Sequence, residues 1–183
     1  LALDDRPAVF FGTGVQARSH ARVIEALGRG PLTVWGRRQE ALDDLVTWCA
    51  QHTPNLELRT TTDRARALRG AGVIISGLPI GLDGLALSPQ EVAPDATLLP
   101  LDYATIAGRD VASTGTVAAD DPEQFEALRP VKLSADYPRA TAATGALLRD
   151  GRPDGLLVVQ NLGSGLGDVV LADAVARAAP PLR

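Results

Sequence analysis

The sequence predicts an α/β fold: a doubly wound, mostly parallel sheet with helices on both faces. Short β-like runs alternate with stretches of helical spacing along nearly the whole chain, as expected of a parallel sheet covered by crossover helices. The first such run, Ala8–Phe11, enters a glycine turn that opens directly into a helical pattern. With 183 residues and 45% hydrophobic content, the chain can bury one sizeable core, or one core with a short appendage.

After the strand Ala8–Phe11, residues 15–27 form the first predicted helix, with Val15, Val23, Ile24 and Leu27 in an apolar stripe. Gly28 and Gly30 end it and Pro31 prevents its continuation. A second strand is expected at Leu32–Trp35, followed by a helix over residues 39–51 carrying Leu42, Leu45, Val46 and Cys49 on one face. Residues 56–59 read as the third strand. Residues 62–69 read as a helix with Thr62 and Asp63 as cap candidates and Gly70 as its stop.

Further strands are expected at residues 72–76, at Thr97–Pro100, as a short run at 131–133, and at 155–159. Residues 77–110, rich in Gly and Pro, read as loops at one edge of the sheet, where small ligands bind in such folds. Asp121-Pro122-Glu123 has the form of a helix start, and a last helix is expected over residues 166–179. The resulting division is one domain over residues 1–160, then a glycine turn and helix over 161–183 that packs on that domain or on a partner.

The turn Gly12-Thr13-Gly14-Val15-Gln16-Ala17 carries the clearest chemistry. Gly12 permits the tight turn, Gly14 lets backbone approach a pyrophosphate, and Ala17 allows close packing of helix on strand. Amides at the helix N-terminus then face the phosphates. A glycine pattern alone is weak, but strand, turn, helix and second strand in this order form a Rossmann-like dinucleotide fingerprint. The second strand ends in Trp35-Gly36-Arg37-Arg38, with no carboxylate before Glu40. Arg37 and Arg38 suit the 2′-phosphate of NADP, with NAD the alternative; read structurally, they are a solvated pair at a helix start.

Asp102 follows the apolar run Leu98-Leu99-Pro100-Leu101, so it is expected at the carboxyl end of a strand and facing the ligand crevice. It is a candidate proton donor or acceptor at an amine or imine carbon, or a loop aspartate that caps local backbone. Asp168 is expected to cap the last helix or to help shape the cofactor pocket. His20 and His52 have no metal-spaced partner, the single Cys49 excludes disulfides and multi-cysteine sites, and no metal is expected.

A formal net charge of −4 argues against nucleic acid as partner. No run is apolar enough to span a bilayer and no signal peptide is visible, so a cytoplasmic protein is the default. The chain begins at Leu1 and contains no Met, from which a missing natural start is expected.

These segments together resemble the ornithine cyclodeaminase/μ-crystallin family. The resemblance rests on Gly12-Thr13-Gly14-Val15-Gln16-Ala17-Arg18 with His20, on Val34-Trp35-Gly36-Arg37, and on Leu99-Pro100-Leu101-Asp102. It extends through residues 145–153 and through Val159-Gln160-Asn161-Leu162-Gly163 with Gly167-Asp168-Val169-Val170-Leu171-Ala172. It implies NAD or NADP as cofactor and hydride transfer at a carbon bearing an amino or imino group. It further implies that Gly12, Thr13, Gly14, Val15 and Gln16 hold the pyrophosphate, Arg37 and Arg38 the 2′-phosphate, and Asp102 the transferred proton. Asn161 and Gly163 would line the cofactor side.

Members of that family carry a substrate and dimerisation region of roughly a hundred residues before the glycine motif, a typical domain size. Here seven residues precede the first strand, and the chain's one lysine, Lys132, lies in a different context. The expectation is therefore an oxidoreductase subunit for an amino-acid or imine substrate, completed by a second polypeptide or by homo-oligomerisation. The alternatives are a non-catalytic NADP(H)-binding module or sensor, and a domain whose glycine turn binds nothing.

Overall fold

The computed structural model describes residues 6–163 and 165–178. Among them, the strands are β1 (Ala8–Phe11), β2 (Leu32–Trp35), β3 (Leu58–Thr61), β4 (Val73–Ser76), β5 (Thr97–Pro100), β6 (Thr116–Ala119), β7 (Ala142–Ala143) and β8 (Leu157–Val159). The helices are α1 (Val15–Ala26), α2 (Gln39–His52), α3 (Arg64–Leu68), α4 (Arg109–Ala112), α5 (Pro122–Lys132), α6 (Thr144–Asp150) and α7 (Gly165–Ala178). The strands form one 8-stranded sheet in the order β3-β2-β1-β4-β5-β8-β6-β7, with every pair parallel.

Strand order reverses between β1 and β4, which pair in register from Ala8↔Val73 to Phe11↔Ser76. That is the topological switch point of a doubly wound sheet, where the loops leaving two neighbouring strands part and open a crevice. Alternation along each strand builds two cores. Phe10, Val34 and Ile75 pack with Ala17, Ala21 and Ile24 of α1 and Leu42, Leu45 and Cys49 of α2. Val9, Phe11, Ile74 and Leu98 face the other way, against Ala67 and Leu68 of α3, Val111 of α4 and Phe125 of α5. Helix α6 extends the first face through Leu147 on Leu157 and Val159. Both faces are therefore covered, which explains why the central strands read as nearly continuous apolar runs.

Several expected boundaries shift. The third strand runs two residues later than residues 56–59, at Leu58–Thr61. No strand forms at residues 131–133: α5 continues through Lys132 and is followed by Leu133 as its C-cap. The strands at that end of the sheet are instead β6 and β7, which the sequence reading missed. Asp168 is not a cap residue, since it lies within the first turn of α7. Every side chain described in α7, from residue 168 to 178, is exposed. No described helix is long and apolar enough to cross a membrane.

Candidate functional site

The glycine turn emerges at the switch point. Gly12 has φ +121, a conformation open to glycine, and a Cβ there would stand 2.9 Å from the carbonyl oxygen of Gly77. The ends of β1 and β4 thus approach backbone to backbone. Gly14 has no atom within 4 Å of where its Cβ would be, so the turn presents bare main chain to open space. Helix α1 starts immediately afterwards, with Gly14 as its N-cap, no side-chain cap and no acidic residue in its first turn. Its leading amides are accordingly available to an external acceptor, at the positive end of a 12-residue helix.

These groups line a cleft of about 350 Å³ bounded by Gly12, Thr13, Gly14, Trp35, Gly36, Arg37, Arg38, Ala41, Gly77, Leu78 and Pro79. Gly36 is fitted tightly, because a Cβ there would lie 2.6 Å from Thr13 Cγ2 and 3.0 Å from Leu42 Cδ2. Trp35 anchors this wall by donating its indole N–H to the Thr62 carbonyl at 3.0 Å and leaning on Phe11, with ring centroids 5.2 Å apart. Arg37 and Arg38 are both exposed on the rim. Val15 is 72% exposed and Gln16 is exposed, and neither lines the cleft.

Asp102 lies just past β5 and is 2% exposed. Its Oδ1 accepts from Ser76 Oγ at 3.0 Å, and its Oδ2 accepts from the Leu78 N–H at 3.0 Å. Burial pushes its carboxyl above the ordinary range, while the Leu78 amide and the Ser76 hydroxyl oppose that shift. The carboxylate therefore faces inward and is occupied, and it ties the end of β4 to a loop that walls the cleft. Tyr103, the next residue, has φ +59 and is the non-glycine residue with positive φ among those described. Lys132 Nζ sits 5.4 Å from the Tyr103 ring centroid, so the one lysine does lie near the aspartate loop.

Asn161 and Gly163 follow β8, beyond β5 on the same carboxyl edge as the glycine turn. Three strand intervals separate β1 from β8, roughly 14 Å at the usual spacing. Asn161 is exposed, its Oδ1 accepting from Thr144 Oγ1 at 3.2 Å, and Gly163 is exposed at φ +91. Neither lines the cleft around Gly12.

The sequence does not single out Ser76 or Gly77, and gives Gln160 only as part of the segment 159–163. Gly77 is a close-approach position, since a Cβ there would meet Phe10 Cζ at 2.9 Å and Gln16 Cβ at 3.0 Å. A glycine directly after the fourth strand was the available signal. Gln160 is wholly buried, with Oε1 3.4 Å from the Tyr137 hydroxyl and no partner on Nε2. His20 Nδ1 bonds the Gln16 carbonyl and His52 Nδ1 the Trp48 carbonyl, each at 2.8 Å. No cluster of His, Cys, Asp and Glu suited to a metal ion occurs among the described residues, and Cys49 is buried.

No protein-family profile matches the chain, and no curated protein matches it in sequence. Solved structures do match its fold. An archaeal alanine dehydrogenase dimer with bound NAD superposes with a TM-score of 0.71 at 16% identity, over 99% of this chain and 61% of that one. The Δ1-pyrroline-2-carboxylate reductase of Thermococcus litoralis, in complex with NADH and L-proline, gives a TM-score of 0.71 at 14% identity, over 100% and 62%. The chain thus spans about three fifths of the length of these two proteins. At such identities the likeness is one of fold: a doubly wound α/β domain of the kind these dehydrogenases contain.

Proposed function

We propose that this chain is the cofactor half of an NAD(P)-dependent oxidoreductase acting at a carbon that bears an amino or imino group. The observation that carries the reading is the cleft at the switch point, where glycine backbone, uncapped helix amides and two exposed arginines converge. The residues fit a dinucleotide. Gly12 and Gly14 offer main chain unobstructed by a side chain, and the amides opening α1 are suited to a pyrophosphate. Arg37 and Arg38, on the rim after β2, are placed for a 2′-phosphate, and we infer NADP in preference to NAD. When bound, the nicotinamide supplies or accepts the hydride.

Asp102 is the proposed proton-handling group. Its raised carboxyl keeps a proton to higher pH than an ordinary aspartate, as an acid for an imine nitrogen requires. Asn161 and Gly163, on the same edge beyond β5, are proposed for the nicotinamide side. The two similar proteins, one bearing NAD and one NADH with L-proline, favour nitrogen-bearing substrates.

The substrate carboxylate and further catalytic groups are proposed to come from outside residues 1–183, whether from a further domain, a second polypeptide or another copy. Val169, Val170, Leu171 and Val175 of α7 are each at least 60% exposed, an apolar surface suited to such a neighbour. The occupied, inward Asp102 favours a second reading, a non-catalytic NADP(H)-binding module. Turnover of cyclic imino acids with NADPH, assayed with and without a co-purified partner, separates the two. Oxidation of NADPH dependent on Asp102 supports the enzyme; binding without turnover in the native assembly supports the module.

A further inference from the structure

We propose that Ser76 is a positioning residue: with Asp102 it fixes the loop of residues 77–79, and so couples the hold on the dinucleotide to the proton on Asp102. The inference rests on the dinucleotide reading above. Ser76 ends β4, directly opposite Phe11 at the end of β1. The chain then passes through Gly77, whose N–H donates to the Phe11 carbonyl at 2.9 Å, and reaches Leu78 and Pro79 on the cleft wall. Asp102 spans this bend, taking the Ser76 hydroxyl on one oxygen and the Leu78 amide on the other. Gly77 itself is wedged against the Phe10 ring and Gln16, so movement of the bend would be felt by the glycine turn.

Ionised Asp102 is the stronger acceptor for the Leu78 amide, because a charge-assisted hydrogen bond is roughly twice as strong as a neutral one. Protonation weakens that bond and loosens the wall. Removal of the Ser76 hydroxyl withdraws one of the donors that favour the ionised form, so the carboxyl then titrates at higher pH. The titratable groups on neighbouring elements are few. Tyr103 lies on the same loop, Lys132 at the end of α5 stands over the Tyr103 ring, and Tyr137 bonds the Ala107 carbonyl. Gln160, after β8, carries no charge.

The test is a calorimetric titration of the full chain with NADPH across weakly acidic to weakly alkaline pH, for wild type, Asp102→Asn, Ser76→Ala and Ser76→Thr. Wild type is expected to lose about tenfold in affinity as pH falls through the Asp102 titration, the scale of one charge-assisted hydrogen bond. Asp102→Asn keeps a neutral acceptor and is expected to lack that step. Any titration of the NADPH 2′-phosphate persists in this variant and is subtracted. Ser76→Ala is expected to move the step to higher pH, and Ser76→Thr, which restores a hydroxyl, to return it. Superposed wild-type and Asp102→Asn profiles, or a Ser76→Ala step unmoved from wild type, overturn the coupling while leaving the cofactor reading intact. Absence of NADPH binding in every variant at every pH removes the cofactor reading, and the coupling with it.

Discussion

Close packing around the bend after β4 leaves no room at Gly77, where a methyl group would press on the Phe10 ring and on Gln16 Cβ. Gly77→Ala is expected to cost about 1–3 kcal/mol, the usual penalty of overpacking, read as a fall in the urea midpoint. An unchanged midpoint would show that the bend yields. At Asp102 the sign of the pH effect follows from its raised carboxyl. The folded protein holds this proton more tightly than the unfolded chain. The contribution of Asp102 to stability is therefore complete below the ordinary aspartate range and is lost as pH rises through the folded value. Asp102→Asn is expected to abolish that fall, leaving a flatter stability profile over weakly acidic pH; an identical slope would contradict the burial argument. The glycine turn was legible in sequence because its glycines stand directly between a strand and a helix, although Gly12 also meets the Gly77 carbonyl. Ser76 and Gly77 were not, since their roles depend on β4 lying beside β1.

Local signals placed most elements well where period and punctuation agreed. Helix α5 begins as Asp121-Pro122 suggested, with the Asp121 side chain accepting from the amides of Glu123 and Gln124, both at 3.0 Å. Asp121→Ala is expected to cost about 1 kcal/mol, measured by chemical denaturation. A loss near zero would mean that tertiary packing of Phe125, not the cap, fixes the start of α5. The far end of the same helix departs from the sequence expectation. Val131 and Leu133 look β-like in isolation, yet the helix carries on through Lys132, with Arg129 held by the carbonyls of Ser134 and Tyr137. Strands β6 and β7 escaped notice because Thr116–Ala119 is rich in alanine and Ala142–Ala143 is two residues long. Parallel pairing of β6 with β8 and of β7 with β6 makes them strands, and that is a tertiary effect.

At the scale of the whole molecule, the sheet order places the cleft, the Asp102 loop and the segment after β8 along one carboxyl edge. The fold class and the first half of the domain were readable from alternation and the glycine turn. The inward, occupied state of Asp102 was not, because its partners lie on another strand. Binding of NADPH by the Gly12–Arg38 cleft is the claim on which the remainder depends, and titration of NADPH and NADH into wild type and an Arg37→Gln/Arg38→Gln variant tests it directly. Wild type is expected to bind NADPH saturably, with affinity weakened roughly ten- to hundredfold in the variant through loss of charge-assisted hydrogen bonds and NADH affinity little changed. Absence of saturable binding to either cofactor, or NADPH affinity indifferent to both arginines, would contradict it.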